Sequence, residues 1–100
     1  MTQYAPSKLQ LQAFKILGEA RASENSNSQT IMICNALEAL WYSALPIDRL
    51  IRIGTAIGGL RELQDHRREA FQREATRLVR AKVLRSRRDR GVTLYEINFQ

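Results

Sequence analysis

The sequence predicts a mainly helical fold that ends in one small β-hairpin, an α+β class. Three observations support this prediction. Apolar residues recur three or four positions apart as far as residue 82, which is the spacing of a helix face. Beyond Val83 the spacing changes to two, and Val92 and Leu94 follow it, as expected for strands. Segment 85–91 lies between the two runs and contains Ser, Asp and Gly, which are common in turns.

The length of 100 residues fits one domain, in which we distinguish an N-terminal helix and linker (1–27) from a core (28–99). No apolar run approaches the ~20 residues that a membrane helix needs, and the first residues lack the pattern of a signal peptide. The single cysteine, Cys34, has no internal partner for a disulfide. These features predict a cytoplasmic protein with no membrane partner.

The net charge of +6 is concentrated in one segment. Residues 61–90 hold eleven of the sixteen Lys and Arg and five of the ten Asp and Glu, whereas the charges of the other seventy residues cancel. Nearly all of these cations are arginine, whose planar guanidinium forms paired hydrogen bonds with phosphate and guanine. Basic charge gathered in one segment is typical of proteins that bind nucleic acid.

Three helices are expected before this basic segment. Their predicted ranges are 8–22, 29–44 and 49–57, and the residues expected to cap them are Ser7, Ser28 or Thr30, and Asp48. The second helix is apolar on nearly every side, so we expect the first helix or a second subunit to cover it as well. Gly54, Gly58 and Gly59 are expected to end the third helix and form a turn, because no Gly-Lys-Ser/Thr accompanies them as in a phosphate-binding loop.

The basic segment begins with a fourth helix, which we expect to start near Asp65 and to continue to residue 81. Residues 60–64 are either a loop or a backward extension of it. The apolar stripe of this helix consists of Phe71, Ala75, Leu78 and Val79. The other faces carry arginine, and the arginine-rich segment 85–91 is expected at the tip of the following hairpin.

No residue cluster predicts catalysis or metal binding. One His and one Cys cannot supply a zinc site of Cys and His, and no Ser-His-Asp or Cys-His nucleophile motif is present. Glu69 and Glu74 lie among the arginines of the fourth helix, which explains them better as ion-pair partners than as an acid–base pair. We therefore expect no enzymatic activity, no metal and no cofactor.

Residues 66–99 resemble the recognition helix and wing of winged helix-turn-helix regulators of the MarR and ArsR kind. The family pattern is a Leu-x-x-Leu-Val type of run, a small residue, Val-Leu, a basic loop with Gly, and a strand ending in Tyr-x-Ile. The matching positions are Ala75, Leu78, Val79, Ala81, Val83, Leu84, Gly91, Tyr95 and Ile97. The departure is Lys82, where the family usually has Gly in the left-handed turn that ends the helix.

The resemblance implies a winged helix-turn-helix with an extra N-terminal helix, which binds double-stranded DNA and regulates transcription. Helix 65–81 would enter the major groove, and the 85–91 wing would lie on the minor groove or its phosphates. Base contacts are expected from Arg68, Gln72 and Arg73, phosphate contacts from Arg67 and Arg77, and wing contacts from Arg87, Arg88 and Arg90. A homodimer is expected through residues 7–22 and 29–45.

Three alternatives stay open beside this interpretation. The same fold can bind RNA or serve a replication or partition complex. A winged helix can also act as a protein-interaction module through its apolar central helix, although the localised charge argues against that use. Finally, a basic helix can lie on an anionic membrane, but the apolar face of the fourth helix is needed for the core.

Overall fold

The computed structural model describes residues 7–40, 43–58 and 67–100. These ranges contain four helices and three strands, in the order α1 (Lys8–Ala22), α2 (Ser28–Ala39), β1 (Leu45–Pro46), α3 (Ile47–Gly58), α4 (Arg67–Arg80), β2 (Leu84–Asp89) and β3 (Val92–Ile97). The described strands form one antiparallel sheet. The predicted class, mainly helical with a small β element, is therefore confirmed. None of the described helices is long and apolar enough to cross a membrane.

Helix α1 begins where the sequence predicts, because Ser7 and Gln10 satisfy each other's backbone groups. Gln10 N–H donates to Ser7 Oγ at 3.1 Å, and Ser7 N–H donates to Gln10 Oε1 at 2.8 Å. The inner face of the helix, made of Ala13, Leu17 and Ala20, is buried, and α1 packs against α2.

Asn27 caps helix α2, so both predicted caps, Ser28 and Thr30, are wrong. Thr30 N–H donates to Asn27 Oδ1 and Asn27 N–H donates to Thr30 Oγ1, both at 2.9 Å. Thr30 therefore completes the capping box from the third helical position instead of capping the helix itself.

Helix α2 ends at Ala39, earlier than the predicted residue 44. Leu40 leaves the helical conformation (φ −127°, ψ 46°), and Ser43 N–H donates to its carbonyl at 2.7 Å. Residues 41–42, over which the prediction continued the helix, lie outside the described ranges. The prediction that more than one side of this helix is covered is confirmed, because α1, α3 and α4 all pack against it.

Helix α3 begins at Ile47, so Asp48 lies in its first turn and is not its cap. Gly54 lies in the middle of this helix, and the prediction that it helps to end the helix is wrong. A Cβ atom at Gly54 would lie 2.6 Å from the carbonyl oxygen of Met32, so glycine allows α3 to approach α2 closely. The predicted start of the fourth helix near Asp65 lies outside the described residues.

Helix α4 ends in a left-handed turn at Lys82, as the resemblance implied for this position. The φ angle of Lys82 is 65°. Lys82 N–H donates to the carbonyl of Val79 and Val83 N–H to that of Leu78, both at 3.0 Å. This pair of hydrogen bonds is the Schellman arrangement, which satisfies the last carbonyls of a helix.

The hairpin is tighter than predicted, because most of segment 85–91 is strand. Strand β2 continues to Asp89, and only Arg90 (φ 52°) and Gly91 (φ 81°) form the turn. Two successive positive φ angles are what a two-residue hairpin loop needs to match the strand twist. Strand β1 pairs with β3, so the strand order is β1-β3-β2, and this pairing is not predicted by the sequence.

The core lies between the helices and the inner face of the sheet. Its largest fully buried apolar side chains come from every described helix and from β2: Leu17, Ile33, Leu37, Leu50, Phe71, Leu78 and Leu84. The predicted stripe of α4 is therefore confirmed. Cys34 is also buried, and burial raises the pKa of its thiol to about 11, which keeps it protonated and unreactive at neutral pH.

Candidate nucleic-acid interface

Four residues of α4 form the face that points away from the core: Glu69, Arg73, Thr76 and Arg80, which we call the outer stripe. All four side chains are exposed. Their spacing of four, three and four positions is that of one helix face, opposite to the buried stripe. Neither Arg73 nor Arg80 forms an ion pair with another described residue. Both guanidinium groups are therefore available to an anionic partner.

Arg68, one of the three expected base contacts, lies beside the N-terminal turn of α3. Its Nε atom donates to Asp48 Oδ1 at 2.9 Å. The side chains are 59% and 70% exposed, and an ion pair this exposed to solvent contributes little stability. Arg68 can thus exchange Asp48 for a phosphate or a base at small cost.

Gln72, the second expected base contact, points towards the hairpin. Its Nε2 atom donates to the hydroxyl oxygen of Tyr95 at 2.6 Å, and the contact is partly buried. The bond joins α4 to β3 over 23 positions of sequence. Its geometry suits a residue that holds the helix against the hairpin.

Arg77, an expected phosphate contact, is bound to a buried carboxylate. Its Nε and Nη2 atoms donate to the two carboxylate oxygens of Glu74, each at 2.7 Å. Glu74 is 4% exposed and also accepts a hydrogen bond from Thr30 Oγ1 on α2. Because the pair uses only Nε and Nη2, a phosphate contact by Arg77 would have to come from Nη1 while the pair stays in place. The sequence predicts Glu74 as an ion-pair partner but not as a buried one.

The charge state of Glu74 follows from these partners. Burial by itself would raise the pKa of its carboxyl, but hydrogen bonds from Arg77 and Thr30 outweigh that effect, so the pKa lies below its ordinary value. The group is therefore a carboxylate at neutral pH. One negative charge inside the protein holds α4 to α2 and compensates one arginine of the basic segment.

Arg87 and Arg88 of the hairpin lie on opposite faces of the sheet, because successive side chains of a strand point to opposite faces. Arg88 lies on the face of Tyr95, which contacts α4. Arg87 lies on the other face with Arg85, and both approach Glu96 Oε1, at 3.7 and 2.9 Å respectively. The hairpin therefore presents basic groups on both sides.

Arg90 and Arg67 are the remaining residues expected to contact DNA. Arg90 is exposed and occupies the turn, so it is the basic residue at the hairpin tip. Arg67 is the first residue of α4, and its side chain is not among those that the structure describes.

Thr76, Arg80 and Arg85 are surface residues that the sequence analysis did not include among the expected contacts. Helical spacing alone identifies Thr76 and Arg80, because both lie opposite to the apolar stripe of α4. Arg85 can be assigned only from the strand register, which pairs it with Glu96.

The described site is thus a helix with two unpaired outer arginines beside a hairpin with basic groups on both faces. Such a surface can bind an anionic polymer with a groove that admits a helix. The likeness to winged helix-turn-helix regulators rests on the residues of the chain itself. No family model, curated protein or solved structure matches the chain.

Proposed function

We propose that the protein is a winged helix-turn-helix that binds double-stranded DNA in a sequence-specific manner and regulates transcription in the cytoplasm. In this proposal α4 enters the major groove and the β2–β3 hairpin lies on the minor groove or its phosphates. The observation that carries it is the outer stripe, where the exposed Arg73 and Arg80 have no ion-pair partner among the described residues.

The order of the elements supports this docking. Helix α3 precedes α4 and packs against it, and the hairpin follows α4 directly. A major groove about 12 Å wide admits one α-helix, and the second helix of a helix-turn-helix normally occupies it. The opposite side of α4 is closed by the core, so the outer stripe is the face that remains for the groove.

The contacts of each side chain refine the expected roles. We propose Arg73 as the principal base contact, because its guanidinium is exposed on the outer stripe, forms no ion pair with a described residue and matches the paired acceptors of guanine. Arg68 joins it after release from Asp48, and Arg80 contacts phosphate. Gln72 and Arg77 position the helix through Tyr95 and Glu74, instead of contacting DNA.

The hairpin arginines have complementary roles in the proposal. A hairpin that enters a groove edge-on faces a phosphate strand on each side. Arg88 on one face and Arg87 on the other can then contact different strands, with Arg90 at the tip. Phosphate contacts of this kind contribute affinity and orientation but no sequence information.

We also propose a homodimer whose interface is formed by residues 7–22 and 29–45, because α1 has a second apolar stripe besides its core face. Leu11 and Phe14 on this stripe are 55% and 42% exposed, and Gly18 has open space where a side chain would be. On α2, Ile31 is 45% exposed. A two-fold dimer would place two α4 helices on half-sites about one helical turn, roughly 34–36 Å, apart.

A fluorescence anisotropy titration with duplex DNA, single-stranded DNA and RNA at two salt concentrations tests the function. We expect tightest binding to the duplex, with a loss of roughly 10³–10⁵ in affinity between 50 and 200 mM salt for ~6–10 neutralised phosphates. Preference for RNA would favour the alternative of an RNA-binding or replication accessory protein. Absence of duplex binding at low salt would refute the proposal.

A further inference from the structure

The centre of the outer stripe is a threonine surrounded by cations. Thr76 lies in a shallow depression of about 410 Å³, whose other lining residues are Gln72, Arg73, Arg77 and Arg80. The amide of Gln72 and the guanidinium of Arg77 bind Tyr95 and Glu74 respectively. The depression therefore presents Thr76 between the guanidinium groups of Arg73 and Arg80, neither of which forms an ion pair within the described part of the chain.

The hydroxyl of Thr76 is already used inside the helix. Its Oγ1 atom donates to the carbonyl of Gln72, one turn earlier, at 2.9 Å. This local bond is common for threonine in helices and removes the hydroxyl proton from other acceptors. The group that distinguishes the exposed Thr76 from serine is its γ-methyl, which gives the basic face of α4 an apolar centre.

We propose that the Thr76 methyl group reads the C5-methyl group of a thymine in the major groove, with Arg73 and Arg80 bound to neighbouring base edges or phosphates. This inference rests on the proposed docking of α4 and names a base that the helix recognises. Thymine is the standard base with an apolar group on its major-groove edge, and a threonine methyl is a suitable partner for it. The two flanking arginines, three positions before and four after Thr76, would bind on either side of this contact, Arg73 at a base edge and Arg80 at a phosphate.

The expected size of the effect follows from the burial of one methyl group. Removing it from either side of the contact should weaken binding about fourfold, the equivalent of ~0.8 kcal/mol per buried carbon. The losses should not add, because either change alone already removes the methyl–methyl contact.

The test starts from a duplex selected out of a random library with the full-length protein. Each thymine of that duplex is replaced in turn by deoxyuridine, which lacks only the methyl group. Three proteins are titrated on the series: wild type, Thr76→Ser, which loses the methyl but keeps the hydroxyl, and Thr76→Val, which keeps a methyl but loses the hydroxyl. Circular dichroism and urea unfolding check that both variants fold like the wild type.

We expect one thymine position per half-site at which deoxyuridine costs the wild type about fourfold in affinity. The Ser variant should bind the selected duplex about fourfold more weakly and show no further loss at that position, whereas the Val variant should keep the sensitivity. Insensitivity of the wild type to every replacement, or the same sensitivity in the Ser variant, would overturn the inference while leaving duplex binding intact. Absence of any duplex binding would overturn both.

Discussion

The Arg77 guanidinium donates one hydrogen bond of 2.7 Å to each carboxylate oxygen of Glu74. The same carboxylate accepts a hydrogen bond from Thr30, so one buried charge joins α4 to the first turn of α2. Paired hydrogen bonds between ionised groups fix the direction of both side chains. The helix that we propose to bind DNA is therefore held at a defined position before DNA arrives.

The Glu74 carboxylate should make the free energy of unfolding depend on pH. Its pKa in the folded protein lies below the unfolded value near 4.5, so the unfolded chain binds the proton first. The contribution of this group is present above pH 4.5 and is lost as pH falls through the folded pKa. Urea unfolding across this range should show Glu74→Gln less stable than the wild type at neutral pH, with a difference that shrinks on acidification. A difference that stays constant down to acid pH would contradict the ionic role.

Glycine in place of Lys82 should stabilise the left-handed turn that ends α4. A side chain at φ 65° costs the folded state ~1–2 kcal/mol. Glycine removes this strain, but its greater backbone freedom stabilises the unfolded state by ~0.5–1 kcal/mol. Lys82→Gly should therefore raise the free energy of unfolding by up to about 1 kcal/mol. Lys82→Ala is the matched control, since it removes the charge but keeps the strain. An equal gain in both variants would assign the effect to charge.

The close approach of α3 to α2 should make Gly54 intolerant of a methyl group. Gly54→Ala places Cβ at 2.6 Å from Met32 O and should cost ~1–3 kcal/mol by overpacking, although alanine is the better helix former. Gly18→Ala on α1, where no atom of the same subunit lies within 4 Å, is the control. Measured in a Phe14→Glu background, which removes the proposed dimer contact, it should stabilise by up to ~1 kcal/mol. If thermal unfolding moved in the same direction for both, the packing explanation would fail.

The exposed apolar stripe of α1 should form part of the homodimer interface. Phe14→Glu adds a charge to a side chain that is 42% exposed, so it should separate the subunits without removing the fold of each. Light scattering and far-UV circular dichroism at one protein concentration measure the two effects. Ala56→Glu, at an exposed position of α3, is the control for added charge. A wild-type protein that is already monomeric would refute the dimer.

Local patterns predicted most of the helical structure. The spacing of Phe71, Ala75 and Leu78 assigned the buried side of α4, and Ser7 assigned the start of α1. The left-handed Lys82 was implied by the family pattern and is observed. These features depend on residues within a few positions of each other, where side-chain direction and capping are decided.

Contacts between distant segments could not be predicted in the same way. A glutamate in an arginine-rich helix normally faces solvent, whereas Glu74 is buried and accepts hydrogen bonds from Thr30 on α2 and from Arg77. The bond between Gln72 and Tyr95 and the strand β1 likewise depend on tertiary packing. In the sequence, Gly54 is typical of a helix end. Its role in the close packing of α3 against α2 follows only from its contact with Met32. The assignment of DNA contacts to the outer stripe stays a prediction.

Comparison of Arg73→Ala on a selected duplex and on a scrambled duplex tests the proposed function most directly. If Arg73 binds a guanine edge, the variant should lose ~1–3 kcal/mol on the selected site and clearly less on scrambled DNA. Arg88→Ala, which removes a proposed phosphate contact, should weaken both duplexes about equally and lower the salt slope by roughly one unit. An equal loss on both duplexes for Arg73→Ala would show that the outer stripe of α4 does not read sequence there.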